Sequence, residues 1–260
     1  MTSIQLIRNA TVMFNYAGKK FLIDPMLAKK DAYPGFPGLT GSNQKIPMVN
    51  LPVSTNNLLD IDAIIVTHLH PDHWDEEAVR ILPKSKPVFC QNIQDAKTVM
   101  ADGFTDVRVI DKNTNYNGVL LKKTQCQHGS DEAYNNSQIA SILGQSSGLY
   151  FNNLGEKSVY FVGDTIWIDE VELNLLKFKP NIIVLNAGFA ILEPFGPIIM
   201  GKEDVYKVHQ LLPEAIIIVI HLETINLCTL SRIELHEYIN DIGISDHVII
   251  PEDGQTLKFI

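Results

Sequence analysis

The chain has 260 residues, of which 45% are apolar and 20% charged, and its formal net charge is −9. This composition is typical of a folded protein with a sizeable core, and the acidic balance argues against a general nucleic-acid-binding surface. The three cysteines are too few and too scattered for a disulfide framework, and the sequence shows neither a signal-peptide pattern nor a membrane-length apolar run. We therefore expect a cytoplasmic protein that binds neither membranes nor nucleic acid.

The first quarter of the chain combines predicted strands with a long loop. Alternating or continuous apolar residues predict strands at 4–8, 11–16 and 19–24. Residues 29–60 are rich in Pro, Gly, Ser and Asn and follow no helical or strand period, which predicts an ordered loop. Loops of this length often cover active sites, so we expect it near the active site; a mobile surface insertion is the alternative.

From residue 61 onward, predicted strands and helices alternate. Apolar runs predict strands at 62–67, 87–90, 106–110, 118–127, 148–153, 158–164, 181–188, 215–221, 247–254 and 256–260. Helical periodicity predicts helices at 75–83, 92–103, 169–179, 202–213 and 230–243. Asn92 is the expected N-cap of the second of these helices. This order of elements predicts one domain over residues 1–260, of mixed α/β class.

Histidine or aspartate follows five of the predicted core strands at the point where each strand ends. These residues are Asp24, then His68, His70, Asp72 and His73 together, then His128, Asp164 and His221. Ligands of layered α/β folds bind outside the strand ends, where loops converge, so these side chains can share one site. Imidazole and carboxylate groups bind zinc, manganese and iron at neutral pH. The pattern therefore predicts a metal site, against the alternative of a solvated histidine-rich loop.

The spacing within residues 68–73 divides the donors between two ions. His68 and His70 are two residues apart and point the same way in an extended segment, while Pro71 turns the chain toward a second position. The count then gives two sets and one bridging residue: His68, His70 and His128; Asp72, His73 and His221; and Asp164. Each ion keeps room for water, as a catalytic site requires. Two alternatives stay open, because Glu223 could replace His221 at the metal and Asp24 could be a turn residue before a proline.

The segment "HLHPDH" at 68–73, with the later donors each placed after a strand, resembles the H-x-H-x-D-H signature of the metallo-β-lactamase superfamily. The resemblance covers nearly the whole chain. Residues 9–25, "GDT" at 163–165 and "NAG" at 186–188 resemble the branch that contains the ascorbate-6-phosphate lactonases. The resemblance implies the metallo-β-lactamase fold, a four-layer αβ/βα sandwich with two facing sheets, helices outside, and a dinuclear site at one edge.

The resemblance also implies a metal-dependent hydrolase with two divalent ions, zinc or manganese, with iron also compatible. The two donor sets would hold the ions, Asp164 would bridge them, and Asp24 would anchor a ligand histidine from behind. A hydroxide activated between the ions would attack a small, anionic ester, lactone or phosphodiester, with Asp72 orienting the nucleophile. Asn186 and Glu223 are candidates for substrate contacts.

Three other functions compete with this hydrolase. A nuclease acting on RNA would need a basic surface or an extra domain, and the sequence shows neither. A non-catalytic metal-binding scaffold conflicts with the presence of the full donor set, and a redox di-iron protein would carry Glu in place of His70. Members of the lactonase branch often have His where this chain has Asn9, which leaves that position without an assigned role. Superfamily relatives often associate, so a homo-oligomer is compatible with the sequence.

Overall fold

The computed structural model describes residues 1–37 and 43–259, and within these ranges two seven-stranded sheets form the centre of the molecule. The first sheet has the order β16 (Thr256–Phe259), β1 (Thr2–Arg8), β2 (Thr11–Tyr16), β3 (Lys19–Ile23), β4 (Ala63–Val66), β5 (Val88–Cys90) and β6 (Val107–Val109). The second has the order β15 (Val248–Ile249), β14 (Ile216–Ile220), β11 (Ile182–Asn186), β10 (Val159–Phe161), β9 (Ser147–Asn152), β8 (Val119–Gln125) and β7 (Thr114–Tyr116). Residues 38–42 of the predicted loop and Ile260 of the predicted last strand lie outside the described residues.

The two sheets pack face to face through a continuous apolar core. The ring of Phe14 on β2 lies edge-on to Phe151 and Phe161 of the second sheet, with centroids 4.9 and 5.2 Å away. Aromatic pairs favour this edge-to-face geometry, and their large buried area contributes strongly to the stability of the core. The sheets therefore form the two inner layers of the fold.

Amphipathic helices cover the outer faces of both sheets. α1 (Glu76–Ile81) and α2 (Ile93–Ala101) pack on the first sheet, and α5 (Asp169–Phe178), α6 (Lys202–Leu211) and α7 (Arg232–Asp241) pack on the second. Asn92 caps α2 as predicted, because its side-chain oxygen accepts the N–H of Asp95 at 2.8 Å. The helix–sheet–sheet–helix order confirms the predicted four-layer fold.

Some short elements were not predicted from the sequence. α3 (Asp131–Asn135) and α4 (Ser137–Leu143) follow β8, capped by Ser130 and Asn136, and a small hairpin joins β12 (Ile191–Leu192) to β13 (Gly196–Pro197). Helices of five and seven residues have too few turns for a clear apolar period. These elements form an apolar cluster at one edge of the sandwich with residues from the segments near 26, 46, 198 and 225.

Strand direction brings one end of both sheets to a common edge. β3, β4, β5 and β6 run parallel, and so do β10, β11, β14 and β15. The loops that follow these parallel strands therefore leave from the same end of each sheet, which is where such folds bind ligands. Within the described ranges, none of the helices is both long enough and apolar enough to cross a membrane.

Candidate metal centre

All the residues predicted as metal ligands meet at this edge of the sandwich. They come from the loops after β4, β8, β10 and β14 and are buried, except for the half-buried His70: His68, His70, Asp72 and His73; His128; Asp164; His221. The turn at Pro71 is closed by hydrogen bonds from the N–H groups of His73 and Trp74 to the carbonyl of His70, each 2.9 Å long. Trp74 then packs into the core, as its apolar ring favours.

Three groups of donor atoms lie close enough together to hold an ion: two have the composition of the sets expected from the spacing, and the third, His68, His73 and Asp164, takes one histidine from each. In the first set, His68 Nε2 lies 3.0 Å from His70 Nδ1, and His128 completes the group. In the second set, His221 Nε2 lies 3.2 Å from both Asp72 Oδ2 and His73 Nε2. Two ligands of one tetrahedral ion, each bonded at about 2.0–2.1 Å, lie about 3.3 Å apart, so these spacings fit metal binding.

Asp164 lies between the two sets. Its Oδ2 atom is 3.2 Å from Nε2 of His73 and 3.6 Å from Nε2 of His221 in one set. The same oxygen is 3.7 Å from Nε2 of His128 and 3.9 Å from Nε2 of His68 in the other set. One carboxylate oxygen thus faces donors of both sets, which is the position required of a bridging ligand.

Asp24 orients two of the histidines from behind. Its Oδ2 lies 2.9 Å from Nδ1 of His73 and accepts the hydroxyl of Thr67 at 2.7 Å, while Oδ1 accepts the N–H of Thr67 at 2.7 Å. Since the Thr67 hydroxyl donates its proton to Asp24, its oxygen accepts from Nδ1 of His68, 3.1 Å away. Both rings therefore carry a proton on Nδ1, so that in the neutral form of each ring the Nε2 lone pair faces the centre.

Each of the other three histidines also has one ring nitrogen held by an outer partner. The pairs are His70 Nε2 with the Ile142 carbonyl at 2.9 Å, His128 Nδ1 with the Ile198 carbonyl at 2.8 Å, and His221 Nδ1 with the Cys228 sulfur at 3.4 Å. A carbonyl can only accept, so the outer nitrogens of His70 and His128 carry the proton and their inner nitrogens are free to bind an ion. Ligand histidines in metalloproteins are held in this way.

The electrostatics of the second set favour positive charge. Burial opposes a charged His73, but the carboxylates of Asp164, Asp72 and Asp24 outweigh it and raise the pKa of His73 to about 10. The pKa of His221 is likewise raised well above its usual value, against burial, chiefly by Asp164. A group of buried carboxylates that attracts protons also attracts a divalent cation, which competes for the same lone pairs.

The first set lacks this surplus of negative charge. Burial lowers the pKa of His128 to about 4, although Asp164 attracts the charged form. Burial and the neighbouring rings of His73 and His70 hold the pKa of His68 well below its usual value. Both rings are therefore neutral at pH 7, and their lone pairs are available without loss of a proton.

An apolar cavity of about 420 Å³ opens onto the donors. His70, Asp72, His128, Asp164 and His221 lie at one end. The walls come from segments far apart in the sequence: Phe36 and Pro37; Ile139, Ile142 and Leu143; Ala190, Leu192 and Ile198; Ile225 and Leu227. The ionisable side chains among the described lining residues are histidine or acidic, with no Lys or Arg. The cavity has the size and apolar character of a small-molecule site.

The structure does not bring the two predicted substrate contacts to this cavity. Asn186 donates its Nδ2 proton to Asp164 Oδ1 at 2.6 Å, so it fixes the bridging carboxylate and is not among the lining residues. Glu223 accepts from the backbone N–H and the guanidinium of Arg232 at 2.7 and 2.6 Å. The left-handed backbone at His221 and Glu223, with φ of +66° and +59°, turns the Glu223 side chain away from the donors. Its predicted substrate role, and its alternative role as a metal ligand, are therefore not supported by the geometry.

Sequence comparisons identify the family. The family model described as "Beta-lactamase superfamily domain" matches residues 19–222. UPF0173 protein YddR of Bacillus subtilis is 44% identical over 258 residues, which cover 99% of this chain and 100% of that protein.

Two solved structures are similar over the whole chain. One is an isothiocyanate hydrolase from Delia radicum gut bacteria, with 45% identity, a TM-score of 0.97 and 99% of each chain covered. The other is described as a possible metal-dependent hydrolase from Veillonella parvula, with 43% identity, a TM-score of 0.98 and 100% of each chain covered. Together with the clustered histidine and aspartate donors, these matches establish that the chain belongs to the β-lactamase superfamily domain family and is a metal-dependent hydrolase.

Proposed function

We propose that this chain hydrolyses small, uncharged isothiocyanates at a centre of two divalent metal ions, zinc or manganese. The observation that carries the proposal is the apolar cavity that ends on the histidine and aspartate donors. A neutral, apolar substrate gains free energy from entering such a cavity, at roughly 25 cal/mol per Å² of apolar surface removed from water. The ions held by the donors at the end of the cavity would then lie beside the reactive carbon of the substrate.

The lining argues for a neutral substrate over the anionic ester or phosphodiester expected from the sequence. The carboxylates that line the cavity belong to Asp72, Asp164 and Glu193, and no described lining residue is a Lys or Arg. The ions proposed at this end of the cavity would neutralise Asp72 and Asp164, but an anion would still lose its hydration against the apolar walls, with no Lys or Arg among the described lining residues to replace it. The relative with 45% identity is described as an isothiocyanate hydrolase, which supports a neutral, apolar electrophile as the substrate.

The donors divide into two metal sites in this proposal. His68, His70 and His128 would hold one ion, Asp72, His73 and His221 the other, and Asp164 would bridge them. When bound, the ions would lower the pKa of a water molecule toward neutrality and polarise the substrate carbon. Asp24 keeps the inner lone pairs of His68 and His73 available through the hydrogen bonds described above.

The remaining groups of the chain position the reactants. Asp72 is a cavity-lining carboxylate, so it can accept a hydrogen bond from the attacking water and orient its lone pair toward the substrate. The apolar walls hold the organic group and exclude competing water. Water adds across the C=N bond and gives an N-substituted thiocarbamic acid, which splits into an amine and carbonyl sulfide. One water is consumed, and no oxidant or further reactant is needed.

A substrate panel tests the proposal. We expect the purified protein with added zinc or manganese to convert benzyl isothiocyanate to benzylamine, with much slower turnover of a γ-lactone and a phosphodiester. Asp164→Ala should abolish turnover, whereas His236→Ala, which alters an exposed histidine of α7, should retain it. Turnover of the phosphodiester or lactone without turnover of the isothiocyanate would refute the substrate assignment.

A further inference from the structure

Asn9 lies in the turn between β1 and β2, fully buried beside the second donor set. Its φ of +53° lies in the left-handed region, which Asn adopts more readily than most residues. The carbonyl oxygen of Asn9 accepts the N–H of His221 at 2.9 Å. This hydrogen bond fixes the position of the His221 backbone relative to Asn9. The Asn9 side chain extends toward the donor atoms of both His221 and Asp72.

The carboxamide of Asn9 sits at ligand spacing from these donors. Its Nδ2 atom is 3.2 Å from Asp72 Oδ2 and 3.4 Å from His221 Nε2, which matches the 3.2 Å between those two donor atoms themselves. The same Nδ2 donates to the Asp72 carbonyl at 3.1 Å. Asn9 is therefore a further polar side chain beside the second set, and its terminal atom lies within 3.4 Å of two of the three donor atoms.

The other end of the carboxamide has no hydrogen-bond partner. Asn9 Oδ1 is buried and accepts no hydrogen bond from any described residue. A buried carbonyl oxygen without a donor is destabilising and is uncommon in folded proteins. Asn9 is also not among the described residues that line the cavity, so a substrate in the cavity would not satisfy this oxygen.

We propose that Asn9 is a further ligand of the second metal site, and that its carboxamide rotates by about 180° when an ion binds, so that the oxygen replaces the NH₂ group. Without a cation, the NH₂ group donates to the carbonyl and to Oδ2 of Asp72, and both contacts are attractive. With a cation among these donors, the NH₂ group would point positive charge at it, and rotation about the terminal bond brings the oxygen there instead. Carboxamide oxygen is a recognised ligand of hard divalent ions. The inference rests on the two metal sites proposed above.

Two substitutions at Asn9 test the ligand role, because both tolerate the left-handed backbone. Asn9→Gly removes the carboxamide, and Asn9→Asp keeps an oxygen in the same place. The measurements are zinc binding by calorimetry and the visible absorption of the protein loaded with two equivalents of Co²⁺. We expect Asn9→Gly to weaken the second zinc equivalent about 10- to 100-fold and to intensify the Co²⁺ absorption, as loss of a ligand does. Asn9→Asp should bind at least as tightly as the unaltered chain and keep its Co²⁺ spectrum.

Three outcomes would overturn the inference. One is unchanged zinc affinity in Asn9→Gly, and another is a Co²⁺ spectrum that is the same in all three proteins. The third needs no variant: a crystal structure of the unaltered, zinc-loaded protein should place Asn9 Oδ1 within roughly 2.0–2.5 Å of an ion, and a distance beyond hydrogen-bonding range would refute the proposal. If the unaltered chain itself binds fewer than two ions, the dinuclear proposal fails instead, so the two failures are distinguishable.

Discussion

Replacing Asp24 by Asn should weaken the binding of both metal ions, although Asp24 belongs to neither donor set. The carboxylate accepts three hydrogen bonds, two from Thr67 and one from His73, at 2.7–2.9 Å. Asparagine keeps the shape of the side chain but offers one oxygen and one NH₂ group. If the NH₂ group takes the Oδ1 position, it meets the N–H of Thr67, and two donors face each other.

If the NH₂ group takes the Oδ2 position, it faces Nδ1 of His73, which must then act as an acceptor. The neutral, metal-binding form of His73 then carries its proton on Nε2, where it blocks the lone pair that faces the second site. The Thr67 hydroxyl also loses its acceptor and turns toward Nδ1 of His68, which moves the His68 proton inward in the same way. One substitution thus disturbs one histidine in each donor set.

Changes behind metal ligands typically cost 10- to 100-fold in affinity, which is about 1.4–2.8 kcal/mol. We expect a loss of this size for both ions in Asp24→Asn, measured by zinc competition with a chromogenic chelator at pH 7.

The matched control is Asp75→Asn, because Asp75 is also a buried aspartate and accepts the N–H groups of Ala28 and Ala78 at 2.7 Å, with no imidazole among these partners. It should lose stability but keep its zinc affinity. Equal zinc affinities in Asp24→Asn and the unaltered chain, or equal losses in the two variants, would refute the reasoning.

Three further predictions concern the cavity, the protons and Glu223. Ile142→Ser should raise KM for benzyl isothiocyanate about 5- to 20-fold with little change in kcat, because an apolar side chain of the cavity wall is lost while the Ile142 carbonyl remains. Ile93→Ser is the control, since the two side chains are similarly exposed (66% for Ile142 and 68% for Ile93) and only Ile142 lines the cavity. Binding of the second-set ion at pH 7 should release about one to two protons, because the pKa values of His73 (about 10) and His221 are raised and a bound ion displaces these protons. The affinity for this ion should therefore increase from pH 7 toward pH 10. Calorimetry in buffers of different ionisation enthalpy measures the protons released, and a value of zero would contradict the prediction. Glu223→Gln should lower the unfolding midpoint and leave KM unchanged, and a raised KM at unaltered stability would restore its role at the substrate.

The clustering of the candidate metal donors could be anticipated from the sequence because each is a chemically distinctive side chain placed directly after an apolar strand. His128 and His221 are more than 50 residues from His68–His73 in the chain, yet β8 and β14 run in the same direction within their sheet and bring the loops that follow them to the same edge of the sandwich. The fold class followed from the alternation of strands and helices together with the resemblance at residues 68–73. The narrower likeness to the ascorbate-6-phosphate lactonases stays a prediction.

The groups that orient the donors could not be predicted in the same way. The carbonyls of Ile142 and Ile198 hold His70 and His128, and a backbone carbonyl leaves no signal in the sequence. Thr67 is a polar residue at the end of a strand, and its role depends on a hydrogen bond from its hydroxyl to Asp24, more than 40 residues earlier.

The apolar lining of the cavity could not be predicted from the sequence either, because its walls are built from segments that are far apart in the chain. Ile139, Ile142 and Leu143 lie on α4, a helix too short to show an apolar period, and Phe36 and Pro37 come from the long segment 29–60. The pairing of Glu223 with Arg232 could not be predicted for a different reason. Its distance from His221 in sequence is two residues, but the left-handed backbone at both positions directs it to Arg232.

The proposed dinuclear centre is tested most directly by a metal titration of the stripped protein, with benzyl isothiocyanate hydrolysis followed at each addition of zinc. We predict no turnover without metal and a rate that rises to a plateau at two equivalents per chain. His221→Ala, which removes a donor of the second set only, should bind one ion tightly and stay nearly inactive. A plateau at one equivalent, or turnover that persists in the presence of a chelator, would contradict the dinuclear hydrolase described here.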